Sequence, residues 1–321
     1  MKAHLMYRDR DFGWELESLA TRPWAAEVRS ELLPNEDALT QDLELNVLFG
    51  AMAGGDKFLS AVARKAVLSG LQEDPATILY RQAILKDCLR NESIVKNIYE
   101  ITVEATSGEQ RRYLSISSHD SAHGILYDTI RLLQMLMEVV GRLKLIADEQ
   151  SGKFGSEGFA TFFNMLKSEL PDDYFAAVKA QLKELEFRAG VLMSAKLGRG
   201  NQGVDYVLRK SLRPKPNWIQ RVFSWNSSSY TFSLDPRDEA GFQTLSELKD
   251  EGIKLVANAA ARSADHVASF FVMLRAELAF YVGCLNLHRQ LRQRNVPVCF
   301  PVPAPAGARR HFCTGLRDAC L

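Results

Sequence analysis

Residues 251–295 read EGIKLVANAAARSADHVASFFVMLRAELAFYVGCLNLHRQLRQRN. The stretch has no proline, and after Gly252 its only glycine is Gly283. Ala257, Ala260, Ala264, Val267, Phe271, Leu274, Leu278, Tyr281 and Leu285 recur at heptad-like spacing. That spacing puts them on one seam of a helix. Unbroken, such a helix would be roughly 65 Å long at 1.5 Å per residue, well beyond the average of about 11–12 residues in globular proteins. Between Ala257 and Ala264 the side chains are small enough to let another helix approach closely. From Val267 to Leu287 almost every face is apolar, which predicts burial all round. Arg275 and Glu277 sit in the middle of that half. Each would cost about 2.5–3.5 kcal/mol in a bilayer, so the stretch is not read as a membrane span. The two are expected to form a structural ion pair with other helices. A rod with a buried base can carry movement between distant places; an ordinary core helix is the plainer alternative.

Outward from this stretch, the chain before Phe187 carries helical signals. Residues 1–36 hold Trp14, Pro23, Trp24 and Pro34 and read as an arm or short helix packed on the main body. Asp37 or Thr40 is expected to cap a helix to about Ala53, where Gly54-Gly55 breaks it and Asp56 starts another. Asp74-Pro75 offers an N-cap and a first-turn proline, with Ile78, Leu79, Ile84, Leu85, Cys88 and Leu89 as the apolar set of the helix that follows. A helix over 92–106 comes next. Ser118 or Asp120 is expected to cap a long helix to about Asp148, and two helices over 156–170 and 172–186 flank Pro171.

At Phe187 the period changes. VLMSAKLGRGNQGVDYVLR reads as strand, glycine-rich turn and strand, with Val204, Tyr206 and Leu208 alternating against Asp205, Val207 and Arg209. Residues 218–223 and 230–234 are further candidate strands. The expected fold class is therefore mainly α: a multi-helix domain with a small antiparallel β insert and one very long C-terminal helix. After Asn295, VPVCFPVPAPAG is a proline-rich connector that cannot be helical.

The chain has 321 residues, 46% apolar and 25% charged, with a net charge of +1; any electrostatic signal must be local. Its five cysteines have no CxxC spacing, which reads as reduced thiols in the cytoplasm, and the first residues lack the apolar core of a secretory signal. No GxxxxGK[ST], HExxH or GxSxG occurs. Gly198 to Gly203 lies between two strands, so it reads as a hairpin turn rather than a phosphate loop. His119, Asp120 and His123 are the only clustered metal-type residues; helix capping explains them better than a metal does, and none is expected. Between Arg188 and Arg221 stand eight basic residues and a single acid, Asp205. Such a cluster either guards a sheet edge or contacts a phosphate backbone, which needs positive charge without base-reading geometry.

The succession of helical block, basic β insert and long returning helix resembles the lever and clamp of MutS-family DNA mismatch-repair proteins. DLELNVLFGAMAGGDKFL at 42–59, ILYRQAILKDCL at 78–89, YTFSLDPRDEAGF at 230–242 and residues 256–287 carry the likeness, which spans about 37–318. The chain departs from the family in having no Phe-x-Glu wedge, no room for a mismatch-reading domain before residue 37, and a short clamp. HFCTGLRDACL at 311–321 is similar to the entry into the family's ATPase domain, so the chain resembles a truncated family member.

The resemblance implies an N-terminal arm (1–36), a first lever segment (37–186), a clamp-like insert (187–236), a second lever segment with the long helix (237–295), and a connector with the start of an ATPase domain (296–321). It implies double-stranded DNA bound at its backbone by Lys196, Arg199, Arg209, Lys210, Arg213, Lys215 and Arg221. It also implies coupling to an ATPase that uses ATP and Mg, and a homodimer when that domain is present. This chain itself is expected to be non-catalytic, without cofactor and away from membranes. The competing expectation is a helical protein-interaction scaffold that does not bind DNA.

Overall fold

Asp74 accepts the Thr77 amide at 2.8 Å while Pro75 takes the first helical position, as the Asp-Pro pair predicts. This cap opens the helix Pro75–Arg90 in a computed structural model that describes residues 1–12, 35–69, 74–107, 121–187, 190–201, 203–209 and 233–318. Among the described residues the helices are α1 (Glu36–Asp42), α2 (Leu45–Ala53), α3 (Lys57–Ser69), α4 (Pro75–Arg90), α5 (Glu92–Ala105), α6 (Ala122–Gln150), α7 (Glu157–Glu169), α8 (Asp172–Leu185) and α9 (Glu239–Gln293). Strands β1 (Met193–Leu197) and β2 (Gly203–Leu208) form one antiparallel pair. The fold is mainly helical, with a two-stranded sheet and one long C-terminal helix, as the sequence periodicity predicts.

Several boundaries differ from the sequence reading. The single helix expected up to Ala53 is two, because Glu44 adopts a left-handed φ of 50° between α1 and α2. Asn35, not Asp37 or Thr40, precedes α1, and Thr40 is buried. At the start of α6 Ser121 Oγ accepts the Gly124 amide at 3.1 Å; Ser118 and Asp120 lie outside the described residues. α9 begins at Glu239 and runs unbroken for 55 residues, twelve before the stretch that first suggested it. Of the further candidate strands, 218–232 lie outside the described residues, and Ser233 and Leu234 are not in a strand.

The chain forms two compact units, each drawn from separated segments. The first comprises Met1–Arg112, Met135–Ala176 and Asp265–Leu321; the second comprises Tyr113–Gln134 and Ala177–Ala264. In the first, the buried half of α9 supplies Phe270, Phe271, Leu274, Leu278, Tyr281 and Leu285 to the core. No residue from Val267 to His288 is exposed, which is the burial that an apolar surface on all faces requires. α9 is the one described helix long and apolar enough to cross a membrane, and its apolar window is mostly buried within the protein.

Side chains from α9 also close neighbouring helices. Asn286 Nδ2 and Gln290 Nε2 each donate at 3.0 Å to the Met52 and Ala51 carbonyls. These are among the last carbonyls of α2, which lack intrahelical partners. At the head of α7, Asp87 of α4 accepts the Gly155 and Ser156 amides at 2.9 and 2.6 Å.

In the second unit α9 is amphipathic. Ile253, Ala257, Ala260 and Ala264 are buried, while Leu255 faces solvent.

Candidate nucleic-acid interface

The hairpin is built by local rules. Gly200 in the turn has φ 74°, a conformation that favours glycine. Met193 pairs with Leu208 and Ser194 with Val207, but Lys196 pairs with Val204 and Leu197 with Gly203, so the register slips by one residue between the two sets. Asp205, at φ 55°, lies at this bulge; aspartate tolerates the left-handed region better than most residues. The alternation expected along β2 holds from Asp205 to Arg209. It fails at Val204, on the far side of the bulge, which is 40% exposed.

Three of the predicted phosphate-contacting residues lie on this hairpin, and all are exposed. Lys196 is on β1, Arg199 in the turn, and Arg209 just after β2. Arg209 Nε donates to Ser194 Oγ at 2.8 Å across the strands, and its amide donates to the Leu192 carbonyl at 2.8 Å. Lys196 Nζ lies 3.0 Å from Asp205 Oδ2. With both side chains more than half exposed, this surface pair contributes little stability. Lys210, Arg213, Lys215 and Arg221 lie outside the described residues, as do His119 and Asp120. His123 is exposed, with its amide hydrogen-bonded to Asp250 Oδ1 at 3.0 Å. No His/Cys/Asp/Glu cluster able to hold a metal occurs among the described residues.

Gly252, in the interior of α9, sets where the hairpin meets the helix. A Cβ built there would lie 2.0 Å from Met193 Sδ, so any larger residue here requires the Met193 side chain to leave its present seat.

The expected ion pairing of Arg275 and Glu277 is replaced by two different arrangements. Arg275 Nη1 donates to Thr106 Oγ1 at 2.9 Å, and its guanidinium lies 4.1 Å from the Phe58 ring centroid. Glu277 Oε2 accepts the Leu5 amide and, at 3.3 Å, the Met6 amide. The N-terminal segment supplies backbone donors inside the core, so the carboxyl is met by amides. Sequence reasoning marked Glu277 as a charge in an apolar run and placed Tyr281 on the apolar seam without its hydrogen bond to the Leu5 carbonyl. It missed Tyr80 and Arg81, which hold the same segment.

Helices that order a long rod, with a small basic hairpin set on it, define a helical protein with a β insert. The family model of the MutS2 N-terminal domain matches residues 73–294, from the head of α4 through the hairpin to the end of α9. The chain belongs to that family, and so to the MutS relationship that its sequence resembles. No curated protein and no solved structure matches the chain.

Proposed function

We propose that this chain is the lever and clamp portion of a MutS-like protein: the hairpin region grips the DNA backbone without reading bases, and α9 couples it to an ATPase domain. The observation that carries the reading is the exposure of Lys196, Arg199 and Arg209 on one hairpin, within a run of eight basic residues and one acid in a nearly neutral chain. Phosphate contact needs only such charge. The finer division into arm (1–36), lever (37–186 and 237–295), clamp (187–236) and connector (296–321) belongs to the same proposal. So do mismatched or otherwise distorted DNA as the parent protein's substrate, a homodimer formed through the ATPase domain, and a cytoplasmic location.

ATP and Mg belong to that further domain in this reading. The sequence here has no phosphate-cradling GxxxxGK[ST] loop. No nucleotide chemistry is assigned to these residues.

The test is fluorescence anisotropy with duplex DNA across a salt series. Non-specific dissociation constants of about 10⁻⁴–10⁻⁶ M are expected at physiological salt, with little sequence preference. Each Lys or Arg removed should lower the salt slope by about one unit. Reversing Arg209, Lys210 and Arg213 to Glu together should abolish binding while circular dichroism stays unchanged. Wild-type protein that shows no salt-dependent binding, or a triple variant that binds as before, would replace this reading with the scaffold.

A further inference from the structure

Residues 1–12 run without regular secondary structure, yet Ala3, Leu5 and Met6 are wholly buried. The segment is held chiefly through its main chain. From α9, Glu277 Oε2 accepts the Leu5 and Met6 amides, and Tyr281, one turn on, donates to the Leu5 carbonyl. From α4, Tyr80 donates to the His4 carbonyl, and Arg81 Nε donates to the Met6 carbonyl at 2.9 Å. The Arg81 guanidinium also lies 4.4 Å from the Tyr7 ring centroid. Four side chains on two helices thus read one short stretch of backbone, so the segment ties the base of the long helix to α4.

The central member of this clasp is chemically unusual. Glu277 is 1% exposed, and its Oε1 is buried with no hydrogen-bond partner. It forms no ion pair among the described residues, its contacts being the strap's amides. A charge in such a place is strongly disfavoured, whereas the neutral acid still accepts amides through Oε2. Asp11, on the strap itself, adds like-charge repulsion. We propose that Met1–Phe12 is a strap latched by the neutral acid form of Glu277, its docking weakening as that carboxyl gives up its proton.

Burial is the main cause that lifts the Glu277 carboxyl; the Leu5 and Met6 amides oppose it, Asp11 assists it and the Phe12 amide opposes it, leaving the group raised to about 8. The docked state therefore binds the proton more tightly than a released, solvated carboxyl near its ordinary 4.5. The latch is strongest below pH ~4.5, loses about tenfold per pH unit above that, and levels off beyond pH ~8.

Of the other groups on or against the strap, His4 meets the Arg10 carbonyl through Nδ1 at 3.4 Å and Arg81 holds the Met6 carbonyl; both are common to wild type and Glu277→Gln, so comparing the two isolates the contribution of Glu277. Burial holds the Tyr80 phenol up at about 12, the Cys284 thiol up at about 12, and Tyr281 and Cys88 well above their usual values. Arg8 keeps its charge through Glu157, which it meets at 2.7 Å. Lys2 pairs with Asp11 at 3.0 Å, and the Met1 ammonium with Glu169 at 3.3 Å; both pairs survive substitution of Glu277.

Hydrogen–deuterium exchange of the full chain tests this, read at the Leu5 and Met6 amides and corrected for the intrinsic pH dependence of exchange. Between pH 5.5 and 8.5 the protection factor should fall by as much as about two hundredfold, while amides in the middle of α4 hold theirs. Glu277→Gln, neutral at every pH, should keep protection within about threefold across the range. A wild type that varies less than threefold, or a Glu277→Gln protein with the wild-type dependence, would overturn the latch. If Glu277→Gln does not fold, infrared difference spectroscopy of the wild type decides. The C=O stretch of a buried protonated carboxyl should be present at pH 5.5 and be lost over the same range as amide protection; its absence at pH 5.5 overturns the proposal.

Discussion

Gly158, at the first turn of α7, packs directly against side chains of α4. A Cβ there would lie 2.5 Å from Ile84 Cδ1 and 2.8 Å from the Tyr80 hydroxyl. Tyr80 is committed to the His4 carbonyl, so it cannot simply retreat. Gly158→Ala should therefore cost about 1–3 kcal/mol, despite alanine's better helix propensity, and lower the melting temperature in calorimetry. Asp87, three residues beyond Ile84, is 2% exposed and accepts two amides at the head of α7. Asp87→Ala leaves those donors without their acceptor. A loss of about 3 kcal/mol is expected in urea titration, whereas Asp74→Ala, at an exposed cap, should lose only about 1 kcal/mol.

At the scale of elements, α9 changes character along its length because its sequence does. Toward its N-terminus it presents a narrow seam of small residues, and toward its C-terminus it is apolar on all faces. The hairpin meets the N-terminal half at Gly252. Gly252→Ala should gain about 1 kcal/mol of helix propensity and lose the seat of Met193. Faster amide exchange across β1 with unchanged helical circular dichroism is the expected result. Adding Met193→Ala removes the side chain that collides, so protection in β1 should return in the double variant. Additive effects of the two changes would show that Gly252 does not set this contact.

At the scale of the molecule, the net charge of +1 means that any attraction to a polyanion comes from where charge is placed. Asp205 is the only acid among residues 188–221, and it engages Lys196. Asp205→Asn keeps a side chain suited to the left-handed bulge and releases Lys196. Non-specific DNA affinity should rise about two- to fivefold at low salt, and the gain should vanish towards 1 M, where the Debye length is about 3 Å. Lys196→Ala, Arg199→Ala and Arg209→Ala together should weaken binding and leave stability within about 0.5 kcal/mol, because all three side chains are exposed. A drop in affinity that tracks a drop in stability would point to damage of the hairpin instead.

Local periodicity determined most of the helices, the switch to strands after Phe187, the hairpin turn and the withdrawal of residues 267–287 from solvent, since each rests on spacing within a few residues. The basic run was equally legible, because composition needs no fold to be counted. Only the tertiary structure decided which partners the isolated polar residues took. Glu277 is 272 residues from Leu5 in the chain, and Asp87 is 69 from Ser156. Arg275 turned to Thr106 and Phe58 rather than to an acid. A buried polar group must be satisfied, but which distant backbone satisfies it is fixed by packing. The Asp205 bulge was hidden for a related reason: register is a property of two strands together, and alternation along one strand does not show where its partner slips.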